Sequence, residues 1–207
     1  MKKDQKLNQS TKKALLIIKE HGGVIRTAEA LKAGIHPRTF YSLRDKGILE
    51  EVSRGIYRLS ELPAISNPDI VAVASRFPRA VICLISALAF HDLTTQVPHE
   101  VSIALEKGAE TPRINFPPLS VHRFSKAPFE AGIVIYKIDS IPVRIYNQEK
   151  TLIDCFKFRN KLGIDVVMEA VKMYKTKNTG LNISELLKYA RICRVEKVIQ
   201  PYLESLV

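Results

Sequence analysis

Apolar residues recur at helical spacing through Ala14, Leu15, Ile17 and Ile18, and the stretch closes at Gly22-Gly23. Ser10 or Thr11 is placed to cap its start. A second, shorter helix runs from a Thr27 cap through Ala28, Ala30 and Leu31 to Gly34. The residues Gly34-Ile35-His36-Pro37 make a tight turn. Pro37 then opens a third helix through Phe40 and Leu43 to Lys46, stopped by Gly47. From Ile48 to Leu59 the pattern changes to strand alternation on both sides of Ser53-Arg54-Gly55. That triplet reads as a hairpin turn in which glycine supplies the positive φ.

The stretch from Ser60 to Pro68 contains Pro63 and Pro68 and interrupts both periodicities. Asn67, Pro68 and Asp69 form a helix start: a capping side chain, proline at the first position and an acid in the first turn. Two domains are therefore expected, residues 1–62 and residues 69–207. In the second, helices are predicted over 69–76 and 84–91, then strands over 100–105, 119–124, 132–138 and 141–146. Helices over 148–161, 164–176, 183–191 and 195–206 complete the chain, punctuated by Gly163 and Gly180. The expected fold is α+β: an N-terminal winged helix-turn-helix, then a mixed α/β domain with a small sheet and a helical C-terminal part.

Composition narrows the class. Of 207 residues, 46% are apolar and 26% charged, which fits a folded chain and excludes wholesale disorder. The longest apolar stretch, Val81 to Phe90, is too short to span a bilayer as a helix, so no membrane role is expected. The run from Ala14 to Ile18 is too short for a signal peptide. Cys83, Cys155 and Cys193 are widely spaced and read as small core residues in a reducing cytoplasm.

Charge changes the picture more. The formal net charge is +11, which points to a polyanionic partner or to solubility alone. Residues 1–62 carry 13 basic and 7 acidic side chains, so over half the surplus falls in under a third of the length. On a helical wheel Phe40 and Leu43 set the buried side of the third helix. Arg38, Tyr41, Ser42 and Asp45 then face outward, with Thr39 flanking. This is where a recognition helix presents base-reading and phosphate-binding groups. Arg38 offers a fork for guanine; Thr39, Tyr41 and Ser42 suit base edges, sugar or phosphate; Arg44 suits phosphate or a bracing role. Arg54 at the hairpin tip, and Arg58 behind it, are the expected cations of the wing. Lys2, Lys3, Lys6, Lys12 and Lys13 would add affinity without sequence information. Lys12 and Lys13 oppose the dipole at their helix start, which favours a partner as the reason for their placement.

The run Gly22-Gly23-Val24-Ile25-Arg26-Thr27, with Gly34-Ile35, Leu43-Arg44-Asp45-Lys46-Gly47-Ile48-Leu49-Glu50 and Arg54-Gly55-Ile56-Tyr57-Arg58-Leu59, resembles the winged-helix domain of AbiEi-type antitoxins. In the second domain, Leu84 to Thr94 with Val97-Pro98, and Glu149-Lys150-Thr151-Leu152-Ile153-Asp154-Cys155-Phe156, are similar to later segments of that family. The resemblance covers about residues 10–200. It implies a transcriptional regulator and antitoxin of a type IV toxin–antitoxin, phage-defence system. Such a protein binds double-stranded promoter repeats and represses its own operon. It counters a nucleotidyltransferase toxin without a stable complex.

Residues 150–177 hold a second basic group: Lys150, Lys157, Arg159, Lys161, Lys172, Lys175 and Lys177 against Asp154, Asp165 and Glu169. This reads equally as a second nucleic-acid surface or as a solvated charged face. Asp154 is expected to be solvated or paired with Lys150 or Lys157. No metal-ligand spacing, glycine-rich phosphate loop or nucleophile elbow occurs, so no catalytic residue, metal or cofactor is expected. His91-Asp92 reads as the polar end of a helix before it reads as an acid/base pair. Two rival readings stay open. One is a metal-dependent nuclease targeted by the winged helix and using Glu100, Glu106 and Lys107. The other is a transcription factor whose second domain senses a ligand.

Overall fold

In the computed structural model, which describes residues 8–204, the first helix is capped at Asn8, upstream of the expected Ser10 or Thr11. Asn8 Oδ1 accepts from the Thr11 backbone N–H and from Ser10 Oγ, both at 2.8 Å. Thr11 is buried. The helix, α1 (Gln9–Glu20), ends where Gly23 donates back to the Ile18 carbonyl at 2.9 Å. Gly23 has φ +78°, which strains any other residue, and a Cβ there would lie 2.7 Å from Leu62 Cδ1 and oblige that side chain to shift. A short strand, β1 (Val24–Arg26), follows and leads directly into α2 (Thr27–Lys32). Thr27 is not the cap of α2. Arg26 is, and Thr27 instead bonds the Gly55 carbonyl through both its N–H and its hydroxyl. Next come α3 (Pro37–Asp45), β2 (Leu49–Ser53), β3 (Ile56–Leu59) and α4 (Pro68–Arg76).

The strands form a three-stranded sheet in the order β1-β3-β2, antiparallel throughout. Three residues between a glycine and a threonine carry no readable alternation, so β1 escapes the sequence pattern. Its pairing matters, because a lone two-stranded hairpin is only marginally stable. The core beneath combines Ala14, Ile18, Ile25, Ala30, Ile35, Phe40, Leu43, Leu49, Tyr57 and Leu59. Phe40 and Tyr57 meet edge to face at 5.1 Å, locking α3 onto the hairpin. Burying Phe40 stabilises the unit by about 3 kcal/mol.

The chain divides into two compact units. The first runs to Arg76 and includes residues 137–142; the second comprises Phe77–Tyr136 and residues from Val143 onward. After Arg76 the chain forms β4 (Val81–Ile82), α5 (Leu84–Phe90), β5 (Val101–Glu106), β6 (Leu119–Phe124) and α6 (Lys126–Glu130). Then come β7 (Ile133–Ile138), β8 (Ile141–Tyr146), α7 (Gln148–Lys157), α8 (Arg159–Leu162), α9 (Ile164–Lys177), α10 (Ile183–Cys193) and α11 (Glu196–Glu204). The sheet order is β6-β5-β4-β8-β7, with β4 antiparallel to β5 but parallel to β8, and β5 parallel to β6. The fold is thus α+β, with small sheets in both units and a helical C-terminal part. The strand β4 lay hidden in an unbroken apolar run, where no period exists to read. One helix was expected over 148–161; the chain instead breaks at Phe158, which caps both α7 and α8.

Asn147 caps α7, its side chain accepting from the Lys150 N–H at 2.9 Å, and Leu152, Ile153 and Phe156 pack inward as their spacing predicts. Burial raises the thiols of Cys83 and Cys155 well above their ordinary range and pushes Cys193 up to about 11. All three are buried and unpaired, as core residues. Among the described residues no helix is long and apolar enough to cross a membrane.

Candidate nucleic-acid interface

Pro37 starts α3 with φ already set for a helix, and His36 Nδ1 accepts from the Arg38 N–H at 3.2 Å to cap it. With Phe40 and Leu43 held in the core, the outer face is decided. Arg38, Tyr41 and Arg44 are exposed, and Thr39 and Ser42 are half-buried at its margins. Tyr41 is 39% exposed. Among the described residues the Arg38 guanidinium has no ion pair, so its fork faces solvent. Arg44 is committed differently. Its Nε and Nη2 donate to Asp45 Oδ1 at 2.9 and 2.8 Å, and its guanidinium stacks 4.9 Å over the Tyr41 ring. Asp45, and then Tyr57, raise its already high pKa. The arrangement stiffens the Tyr41–Arg44 face and leaves Arg44 partly neutralised.

In the wing, Arg54 is exposed at the tip, and Glu51 Oε1 accepts from the Gly55 N–H at 3.1 Å to close the turn. Arg58 is not a wing cation of this kind. It is 3% exposed, and its Nη2 donates to the carbonyls of Leu62, at 2.7 Å, and Pro63. Its Nε lies 3.0 Å from Glu50 Oε1, the residue directly opposite on β2. The cause is topological. β3 is the central strand, and all four of its residues are buried, so it has no wet face. The expectation that Arg58 contacts DNA is replaced by a bracing role within the unit.

Lys12 and Lys13 are exposed on the first turns of α1; Lys2, Lys3 and Lys6 lie outside the described residues. Two exposed residues outside the expected set, Arg26 and His36, sit at the starts of α2 and α3. Helix starts are where backbone N–H groups favour phosphate. Their signal in the sequence was position alone, immediately before Thr27 and Pro37.

The second basic group is not all at the surface. Lys150 is fully buried against Asp154 and leaves the surface altogether. Its ammonium also sits 4.1 Å from the Tyr146 ring and 4.9 Å from that of Phe124. Arg159 is half-buried, and its Nη1 donates to the Phe156 carbonyl at 3.0 Å. Lys157, Lys161, Lys172 and Lys175 are exposed, Lys172 and Lys175 one turn apart on α9. His91 is buried at the end of α5, its Nε2–H donating to the Tyr146 carbonyl at 2.7 Å. Burial holds it below the ordinary imidazole pKa, with the Tyr146 carbonyl opposing. Asp92 points away into an ion pair with Lys177 at 2.9 Å. The two therefore do not form an acid/base pair. Glu100 is exposed and Glu106 half-buried, and among the described residues no cluster of three acidic, histidine or cysteine side chains could hold a metal ion.

Three helices, a sheet and a charged wing in this order define a winged helix-turn-helix. A family model described as a transcriptional regulator, AbiEi antitoxin, matches residues 12–60. The fold is shared with a crystal structure of the RV2827C protein from Mycobacterium tuberculosis. The two are 13% identical with a TM-score of 0.58, over 91% of this chain and 73% of that one. No curated protein matches the chain in sequence.

Proposed function

We propose that this chain is a sequence-specific DNA-binding repressor and the antitoxin of a type IV toxin–antitoxin system serving phage defence. It binds double-stranded promoter repeats, autoregulates its operon and counters a nucleotidyltransferase toxin without a stable complex. It works in the cytoplasm, and by binding rather than by turnover. The observation that carries the DNA reading is the outward face of α3, with Arg38 and Tyr41 exposed, together with Arg54 at the wing tip. Arg38 reads a base edge; Thr39 and Ser42 bond the backbone; Arg44 and Arg54 meet phosphate or the minor groove. Lys12 and Lys13 add sequence-independent affinity. Lys157, Lys172 and Lys175, exposed in the second unit, offer a separate basic surface for nucleic-acid phosphates.

Titration against DNA from upstream of its own gene, over a salt series, tests this reading. The expected outcome is a steep negative log–log slope and a preference of about a thousandfold or more over scrambled duplex. Equal affinity for both duplexes contradicts sequence-specific repression. Co-expression with a nucleotidyltransferase encoded beside it tests the antitoxin role: growth is restored without the two proteins co-purifying.

A further inference from the structure

The second unit contains a cavity of about 520 Å³ at the N-terminal ends of the parallel pair β5 and β6. Pairing sets Ser102 opposite Ser120 and Ala104 opposite His122, so Ser102, Ser120 and His122 line one sheet face. Ile85 of α5 and Leu162 of α8 supply apolar wall. The loop before β5 forms the mouth, with Val97 78% exposed beside Pro98. Lys161 and Glu100 reach the same space as the fixed charges of opposite sign. His122 is half-buried, edge-on to Phe158 at 5.2 Å, and shares a hydrogen bond of 3.2 Å with the Ser120 hydroxyl. Burial first, then Lys161, hold His122 below the ordinary imidazole pKa, while Glu100 opposes them, so both charges lie within its electrostatic reach.

This lining discriminates between ligand classes. A purely apolar ligand would make no use of Lys161 and Glu100, the exposed charges at the rim. A bare inorganic anion would leave the Val97, Pro98, Ile85 and Leu162 surfaces unused. A ligand with an anionic end, a flat body and a hydrogen-bond-donating edge satisfies all of them, and the volume suits a molecule of that size. We propose that the cavity binds a nucleoside monophosphate. Its phosphate lies against Lys161, Ser120 and His122, its base lies between the apolar walls, and Glu100 accepts from the base's N–H groups. The inference goes beyond DNA binding and does not depend on it.

Calorimetric titration of the full chain with each of the four ribonucleoside 5′-monophosphates, and separately with inorganic phosphate, tests it. At least one nucleotide should bind about tenfold or more tightly than phosphate. Lys161→Ala and Val97→Asp, both at exposed positions that leave the core intact, should each weaken that nucleotide by about tenfold. Absence of binding by all four nucleotides overturns the proposal. So does phosphate binding as tightly as they do, or unchanged affinity in either variant.

Discussion

The Lys150 ammonium lies 2.5 Å from Asp154 Oδ2 within one helix, and neither side chain reaches solvent. Around them, Cys193 Sγ donates to Asp154 Oδ1 at 3.7 Å, and the Tyr146 and Phe124 rings enclose the ammonium. Burial raises the Asp154 carboxyl above its usual range, with Lys150 opposing. Such a pair costs more to break than to replace. Asp154→Asn or Lys150→Met alone should destabilise the protein by about 3–5 kcal/mol. The double replacement Lys150→Met, Asp154→Leu should recover most of that loss. Urea unfolding of the three variants checks this, and a double variant as weak as the worse single one would refute it.

His91 gives the second unit an acid-sensitive element. In the fold it is neutral, with its pKa lowered by burial and its Nε2–H held by the Tyr146 carbonyl. The unfolded chain binds the proton more readily. Its contribution is therefore fully present above the unfolded value, near pH 6.5, and is lost as pH falls through that value toward the folded one. The slope from this residue is at most about 1.4 kcal/mol per pH unit. Stability measured from pH 7.5 to pH 5 should fall. His91→Gln, which keeps a donor and cannot titrate, should flatten the curve.

Arg58 and Arg54 belong to the same hairpin and should behave in opposite ways. Arg58→Ala strips partners from the Leu62 and Pro63 carbonyls and from Glu50, and should lower stability by about 2–3 kcal/mol. Arg54→Ala removes an exposed tip cation and should leave the melting temperature within about a degree. Thermal melts of the two single variants make the comparison. A Tm loss in Arg54→Ala equal to that in Arg58→Ala would contradict these assignments.

The winged helix was legible because its punctuation is local. Gly22-Gly23, Gly34, Pro37, Gly47 and Gly55 each act on their own neighbours, so helix ends and the hairpin could be read residue by residue. The misread positions depend on distant partners. β1 exists because β3 pairs with it, and β4 because β5 and β8 flank it. Arg58 is buried because a third strand makes β3 central. Lys150 and Asp154 are buried because α7 is covered on every side from Lys150 to Phe156. A basic residue type signals a surface only where the element has a wet face, and that is a tertiary property. On α3 the exposed side follows from Phe40 and Leu43, two large core residues that fix its orientation: Arg38, Tyr41 and Asp45 are exposed as expected, whereas Ser42, expected outward, is half-buried.

On the proposed reading, α3 and the wing tip together hold DNA. The most direct measurement is a band shift with DNA from upstream of the chain's own gene, at one fixed salt concentration, using Arg38→Ala combined with Arg54→Ala. Both side chains are exposed, so the double variant should melt with the unaltered protein. It should no longer shift the operator. A double variant that binds the operator with unaltered affinity would contradict the reading.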